Sequence, residues 1–220
     1  MATSSAKPAH DITAPGVHGA PGIVVFARAE TGVETLLETG ACACAILDHG
    51  GLSAEDTSDL IVRYRAASMD VATALVSLGD INTAKMQDLD GVHLTDGTYS
   101  VRTARERLGR SANIGIGPAD DRHGAMLLGE QEPDYVLLAG ADKGRWTAPD
   151  SELVTWWAEL FEVPSVAFGD DIETCVTLAA AGADFVALGT EFCGRPDAAN
   201  GLRTLASQLA DMTMARAAGS

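Results

Sequence analysis

The sequence predicts a single (β/α)8 TIM barrel with a flexible N-terminal tail, and three observations predict it. Eight short runs are apolar at nearly every position, as strands buried on both faces must be. Segments with helical periodicity and start signals lie between most of them, the alternation of a parallel sheet covered by helices. No strand is left over once eight units are counted, so residues 22–215 need no second domain. An open doubly wound sheet is the alternative, since periodicity does not separate open from closed.

The elements follow in order. Residues 1–21, within "MATSSAKPAHDITAPGVHGAPG", are rich in Ala, Ser, Pro and Gly and form the tail; His10 and His18 are read as incidental. "GIVVFA" (22–27) and "ACACAIL" (41–47) are the first two strands. Cys42 and Cys44 stand two apart, which on a strand places them on one face. Ser53 then caps "SAEDTSDLIVRYRAAS", whose acidic first turn suits the positive end of the helix dipole. "DVATALV" (70–76) is the third strand, followed by "GDINTAKMQDL" (79–89), the unit least patterned as a helix. "DGVHL" (90–94) is the fourth strand, and its helix "SVRTARERLG" closes on Gly109. "NIGIG" (113–117) and "DYVLLAG" (134–140) are the fifth and sixth strands, with Gly115 and Gly117 suited to close packing. "DSELVTWWAELF" carries Leu153, Trp156, Trp157 and Leu160 at helical spacing. "PSVAFG" (164–169), the helix "DDIETCVTLAAAGAD" and "DFVALG" (184–189) complete eight units.

Composition excludes several classes of function. Apolar residues make up 46% of the chain, ample for a core, and the 15 Lys and Arg against 31 Asp and Glu leave a net charge of −16. That field repels nucleic acid and acidic lipid alike. No run approaches the roughly 18 apolar residues of a membrane span, and no apolar signal core opens the chain. Cys42, Cys44, Cys175 and Cys193 show no C-x-x-C spacing and are read as buried free thiols, with metal ligands or disulfides as alternatives. Free thiols suit a reducing cytoplasm. No Walker lysine, serine-hydrolase elbow, zinc motif or dinucleotide fingerprint is present.

In a barrel, chemistry resides where strands end and loops begin. Asp48-His49 follows the second strand, Ser77 to Asp80 the third, and Thr95-Asp96-Gly97-Thr98 the fourth. Asp142-Lys143-Gly144-Arg145-Trp146 follows the sixth, Gly169-Asp170-Asp171 the seventh, and Gly189-Thr190-Glu191-Phe192 the eighth. Nearly every loop carries a carboxylate, so the expected partner is a small molecule at the mouth, cationic and in contact with Trp146 or Phe192. His49 and His123 are candidate bases, though His123 at a helix start reads rather as a solvated surface histidine. His93, inside a strand, reads as structural.

Several stretches carry a resemblance: "LDGVHLTD", then "SVRTARERLG", "ANIGIGPADDRHGAMLLGEQEPDYVLLAGA" and "VPSVAFGDDIETCVTLAAAGADFVALGTEF". In this order they resemble the thiamine-phosphate synthase and TenI (thiazole tautomerase) superfamily, collinearly from about residue 23 to 210. The resemblance implies a (β/α)8 barrel and a cytoplasmic transferase of thiamine biosynthesis, coupling a pyrimidine pyrophosphate to a thiazole phosphate with Mg2+. It places metal ligands at Asp80 and Asp96, catalytic groups at His49 and Lys143, and phosphate contacts at Gly169, Gly189, Thr190 and Arg145. Relatives with this fold often pair, which makes a homodimer the candidate assembly. Most family motif positions are replaced: Q-x-R-x-K falls at Ala45–His49, G-Q-x-D at Thr95–Thr98, and the Gly-Gly phosphate turn at Gly169-Asp170. A non-catalytic binding or regulatory barrel, or an enzyme of another class on the same scaffold, is therefore the alternative.

Overall fold

A computed structural model describes residues 19–95, 97–142 and 145–218. Eight parallel strands close into a barrel: β1 (Gly22–Arg28), β2 (Cys44–Asp48), β3 (Ala74–Leu78), β4 (Gly91–Leu94), β5 (Asn113–Ala119), β6 (Tyr135–Leu138), β9 (Ser165–Gly169) and β10 (Phe185–Leu188). β1 pairs with both β2 and β10, which seals the ring and excludes the open sheet. The remaining two strands, β7 (Gly140–Asp142) and β8 (Arg145–Thr147), form an antiparallel hairpin after β6, which the sequence pattern did not reveal. The expectation of a flexible tail falls largely on residues 1–18, outside the described residues.

Nine helices are described, α1 (Glu34–Leu37), α2 (Ala54–Ala67), α3 (Ile81–Met86), α4 (Val101–Leu108), α5 (Arg122–Gly129), α6 (Ser151–Leu160), α7 (Ile172–Ala180), α8 (Thr190–Cys193) and α9 (Ala198–Ala218). Their starts are written in the sequence: Ser53, Asp80, Ser100, Asp121, Asp150 and Asp171 each accept a backbone N–H from the first turn of α2 to α7 respectively. The poorly patterned third unit is thus a real but short helix, held by its cap.

Strand alternation divides the core in two. Val24, Phe26, Ile46, Val76, Tyr135, Leu137 and Phe168 fill the barrel, while Val25, Leu47, Leu75, Ile114 and Leu188 face the helices. Cys42 and Cys44 fall in different layers, against the expectation of one face: β2 begins only at Cys44, and Cys42 sits in the lead-in, aimed at the Leu36 carbonyl. All four cysteines are buried and free. Gly115 has no room for a side chain, because the Tyr135 ring lies where its Cβ would be. At the other end of the barrel, aspartates preceding β4, β6 and β10 tie neighbouring strands together. Asp90 accepts from Leu75 N–H (2.8 Å), Asp134 from Ile114 N–H (2.6 Å) and Asp184 from Ser165 N–H (2.9 Å). Part of the acidic surplus is therefore structural.

Candidate active site at the barrel mouth

At the C-terminal ends of the strands lies a cavity of about 590 Å3. Its floor is aromatic: Phe26 from β1, Phe168 from β9 and Trp146 from β8. The Trp146 indole meets Phe26 edge-on at 4.7 Å between centroids and Phe168 at 6.0 Å. Beneath it, His93 stacks on Tyr135 at 5.5 Å, with Nδ1 3.2 Å from the Tyr135 hydroxyl. Burial pushes the His93 pKa down to about 3, so the imidazole is neutral at physiological pH.

The rim is charged. Arg28 Nε donates to Asp48 Oδ2 (2.6 Å), and Arg145 donates to Glu191 Oε2 (2.5 Å). Gly169 and Gly189 line the wall for reasons of space rather than backbone conformation. A Cβ on Gly189 would stand 2.8 Å from the Phe168 ring, and one on Gly169 would stand 2.5 Å from Cys175 Sγ. After β9 the two aspartates divide their work. Asp171 caps α7, and hydrogen bonds from Thr174 hold its carboxyl below the usual range. Asp170 instead accepts from Ala148 N–H (3.2 Å) and ties the hairpin to the mouth.

The residues singled out from sequence separate into three groups. Gly169, Gly189, Thr190 and Arg145 line the cavity together. His49 and Asp80 sit near one another outside its lining. His49 Nε2 is 2.9 Å from Ser77 Oγ, and Ser77 shares the helix-facing side of β3 with Leu75. Asp96 and Lys143 lie outside the described residues. Arg28 and Asp48, which follow the first and second strands, were placed at the mouth from sequence without a role; Phe26 and Phe168 were missed, although they share the inward parity of their strands and so were legible in principle.

Both carboxylate oxygens of Asp80 take part in the α3 cap: Oδ1 accepts from Asn82 N–H (2.8 Å) and Oδ2 from Thr83 Oγ1 (2.7 Å). Partial burial pushes its carboxyl up, but hydrogen bonds from Thr83 and Asn82, with His49 nearby, outweigh that and leave it below the usual range. Among the described residues no three His, Cys, Asp or Glu side chains cluster as ligands.

Residues 22–192 match the family model described as thiamine monophosphate synthase. The chain belongs to that family. A thiamine-phosphate synthase of Erythrobacter litoralis is 37% identical over 168 residues, 73% of this chain and 78% of that protein. Another, of Rhodospirillum centenum, is 38% identical over 133 residues, covering 58% and 63% respectively. Among solved structures, thiamine phosphate pyrophosphorylase from Pyrococcus furiosus superposes with a TM-score of 0.73 at 17% identity, over 86% of this chain and 96% of that one. This last likeness speaks for the fold alone. Among the described residues of this thiamine monophosphate synthase family member, no helix is long and apolar enough to cross a membrane.

Proposed function

We propose that this chain binds the ring systems of thiamine at its barrel mouth and performs the coupling after which its relatives are named. One observation carries the reading: a family barrel whose mouth holds an aromatic floor under a rim of carboxylates. In the coupling, the carbon–oxygen bond to pyrophosphate breaks and pyrophosphate leaves with the electron pair. The thiazole nitrogen then gives its lone pair to the pyrimidine methylene carbon, forming the new carbon–nitrogen bond. Both the intermediate carbocation and the thiazolium product are flat cations. The faces of Phe26 and Phe168 and the charges of Asp48, Asp170 and Glu191 stabilise such species. Arg145, with the backbone at Gly189 and Thr190, is the phosphate end of the same cavity.

A second reading, binding without transfer, is favoured by the charge pairing. Arg28 and Arg145 already meet carboxylates, and Asp170 stands beside the turn a phosphate would occupy. The replaced motif positions at Ala45–His49 and Thr95–Thr98 support it as well. One experiment separates the two. The purified protein is mixed with the pyrimidine pyrophosphate, the thiazole phosphate and Mg2+, and thiamine phosphate is measured by mass spectrometry beside calorimetric titration with each compound. Product that falls in Arg145→Ala supports transfer. Binding with no product at high enzyme concentration selects the second reading, and neither binding nor product sinks both.

A further inference from the structure

We propose that Trp146 is a self-occluding gate over a ring-binding subsite, and that a flat heteroaromatic ligand displaces the indole and supplies the partner that His93 Nε2 lacks. The choice of ligand rests on the reading that the mouth takes a thiamine-type ring.

His93 is wholly buried, and its Nε2 has no hydrogen-bond partner among the described residues. A buried polar atom left unpaired is unfavourable, and native folds retain few of them. The ring is held in place on its other side, by the stack on Tyr135 and the Nδ1 contact with its hydroxyl. Around it stand two rings edge-on, Phe26 at 6.2 Å and Trp146 at 6.3 Å. Trp146 lines the mouth cavity and also touches the His93 ring, so it stands between the mouth and a buried nitrogen with no partner among the described residues.

The cluster's rings differ in how they are attached. Phe26, His93, Tyr135 and Phe168 ride on barrel strands β1, β4, β6 and β9, where moving one would break the barrel ladder. Trp146 rides on the three-residue strand β8, paired only with β7. Among the described residues two further rim contacts hold that hairpin: the Arg145–Glu191 pair, with side chains 66% and 70% exposed, and the Ala148 N–H to Asp170 bond. Exposed pairs of this kind hold weakly and are screened by salt. The indole thus leaves more readily than any of its neighbours. While it stays, it competes with an incoming ring, and apparent affinity falls by the fraction of open protein.

The nitrogen also selects the ring. A neutral imidazole whose Nδ1 donates to Tyr135 accepts at Nε2; one whose Nδ1 accepts donates there. An aminopyrimidine presents an amino N–H beside a ring nitrogen and satisfies either tautomer along one edge.

Protein labelled with 5-fluorotryptophan gives one fluorine resonance for each of its three tryptophans, with Trp146 assigned from Trp146→Phe. Thiamine phosphate and the free aminopyrimidine alcohol are titrated in turn. The Trp146 resonance moves while those of Trp156 and Trp157 stay, Trp146→Ala binds about tenfold tighter, and His93→Phe binds about tenfold weaker. A ligand-free arm follows the His93 imidazole by nitrogen NMR against pH. In Trp146→Ala water reaches Nε2 and the imidazole titrates near its ordinary range, whereas Trp146→Leu, which keeps an apolar cover, leaves it low. A His93 that stays sealed in folded Trp146→Ala overturns the gate with no ligand involved. Ring binding that leaves the Trp146 resonance unmoved and is no tighter in Trp146→Ala overturns the gate while the mouth reading stands. An opened His93 with neither compound bound, in wild type or variant, overturns the thiamine-ring ligand and the functional reading with it.

Discussion

Replacing His93 with phenylalanine should remove most of one specific acid sensitivity from the folded protein. The unfolded imidazole titrates at about 6.5, whereas burial holds the folded one at about 3. Between those values the unfolded chain binds a proton that the folded chain refuses. The stabilisation is therefore fully present above about pH 6.5 and is lost as pH falls toward about 3, at about 1.4 kcal/mol per pH unit. From pH 7 to pH 5 the loss is about 2 kcal/mol, and any folded value well below 5 gives the same figure. The substituted phenyl ring would keep the stack on Tyr135 but has nothing to titrate. Asp80 and Asp171, whose carboxyls lie below their usual range, also lose stabilisation in acid, but equally in both proteins and mainly below about pH 4. Urea unfolding of wild type and His93→Phe at the two pH values measures the difference directly. Wild type should lose about 2 kcal/mol more than the variant. Parallel losses would refute a sealed, neutral imidazole.

Three further outcomes follow from single contacts. Asp80→Ala should lower stability by about 1 kcal/mol through loss of the α3 cap, while Asp80→Asn keeps most of it; equal losses on thermal unfolding would argue against a capping role. Asp134→Ala should lose about 2 kcal/mol in urea, because Ile114 N–H and the half-buried Arg105 lose the same oxygen. Gly115→Ala should destabilise by about 3 kcal/mol or more by driving a methyl into the Tyr135 ring, and adding Tyr135→Leu should recover a large part; additive losses in that double-mutant cycle would place the strain elsewhere.

The sequence by itself determined eight alternating strand–helix units and the places where six of the helices begin. Strands buried on both faces must be apolar at every position, and an orphaned N–H at a helix start needs an acceptor, so "DFVALG" and the capping Asp171 are legible without coordinates. Gly169, Gly189, Thr190 and Arg145 were also legible as neighbours, because strand ends in a barrel converge by construction. The tertiary structure alone decided which way the loop side chains turn. His49 and Asp80 have the chemistry of a site, yet His49 meets Ser77 and Asp80 serves the α3 cap, and neither lines the mouth cavity. Trp146 read from sequence as a loop residue beside a ligand, and only the β7–β8 hairpin swings its indole over His93. The reason is physical. Burial, capping and strand parity are local demands that a sequence must meet position by position. The convergence of Phe26, His93, Tyr135, Trp146 and Phe168 on one point depends on barrel closure, which no single segment encodes.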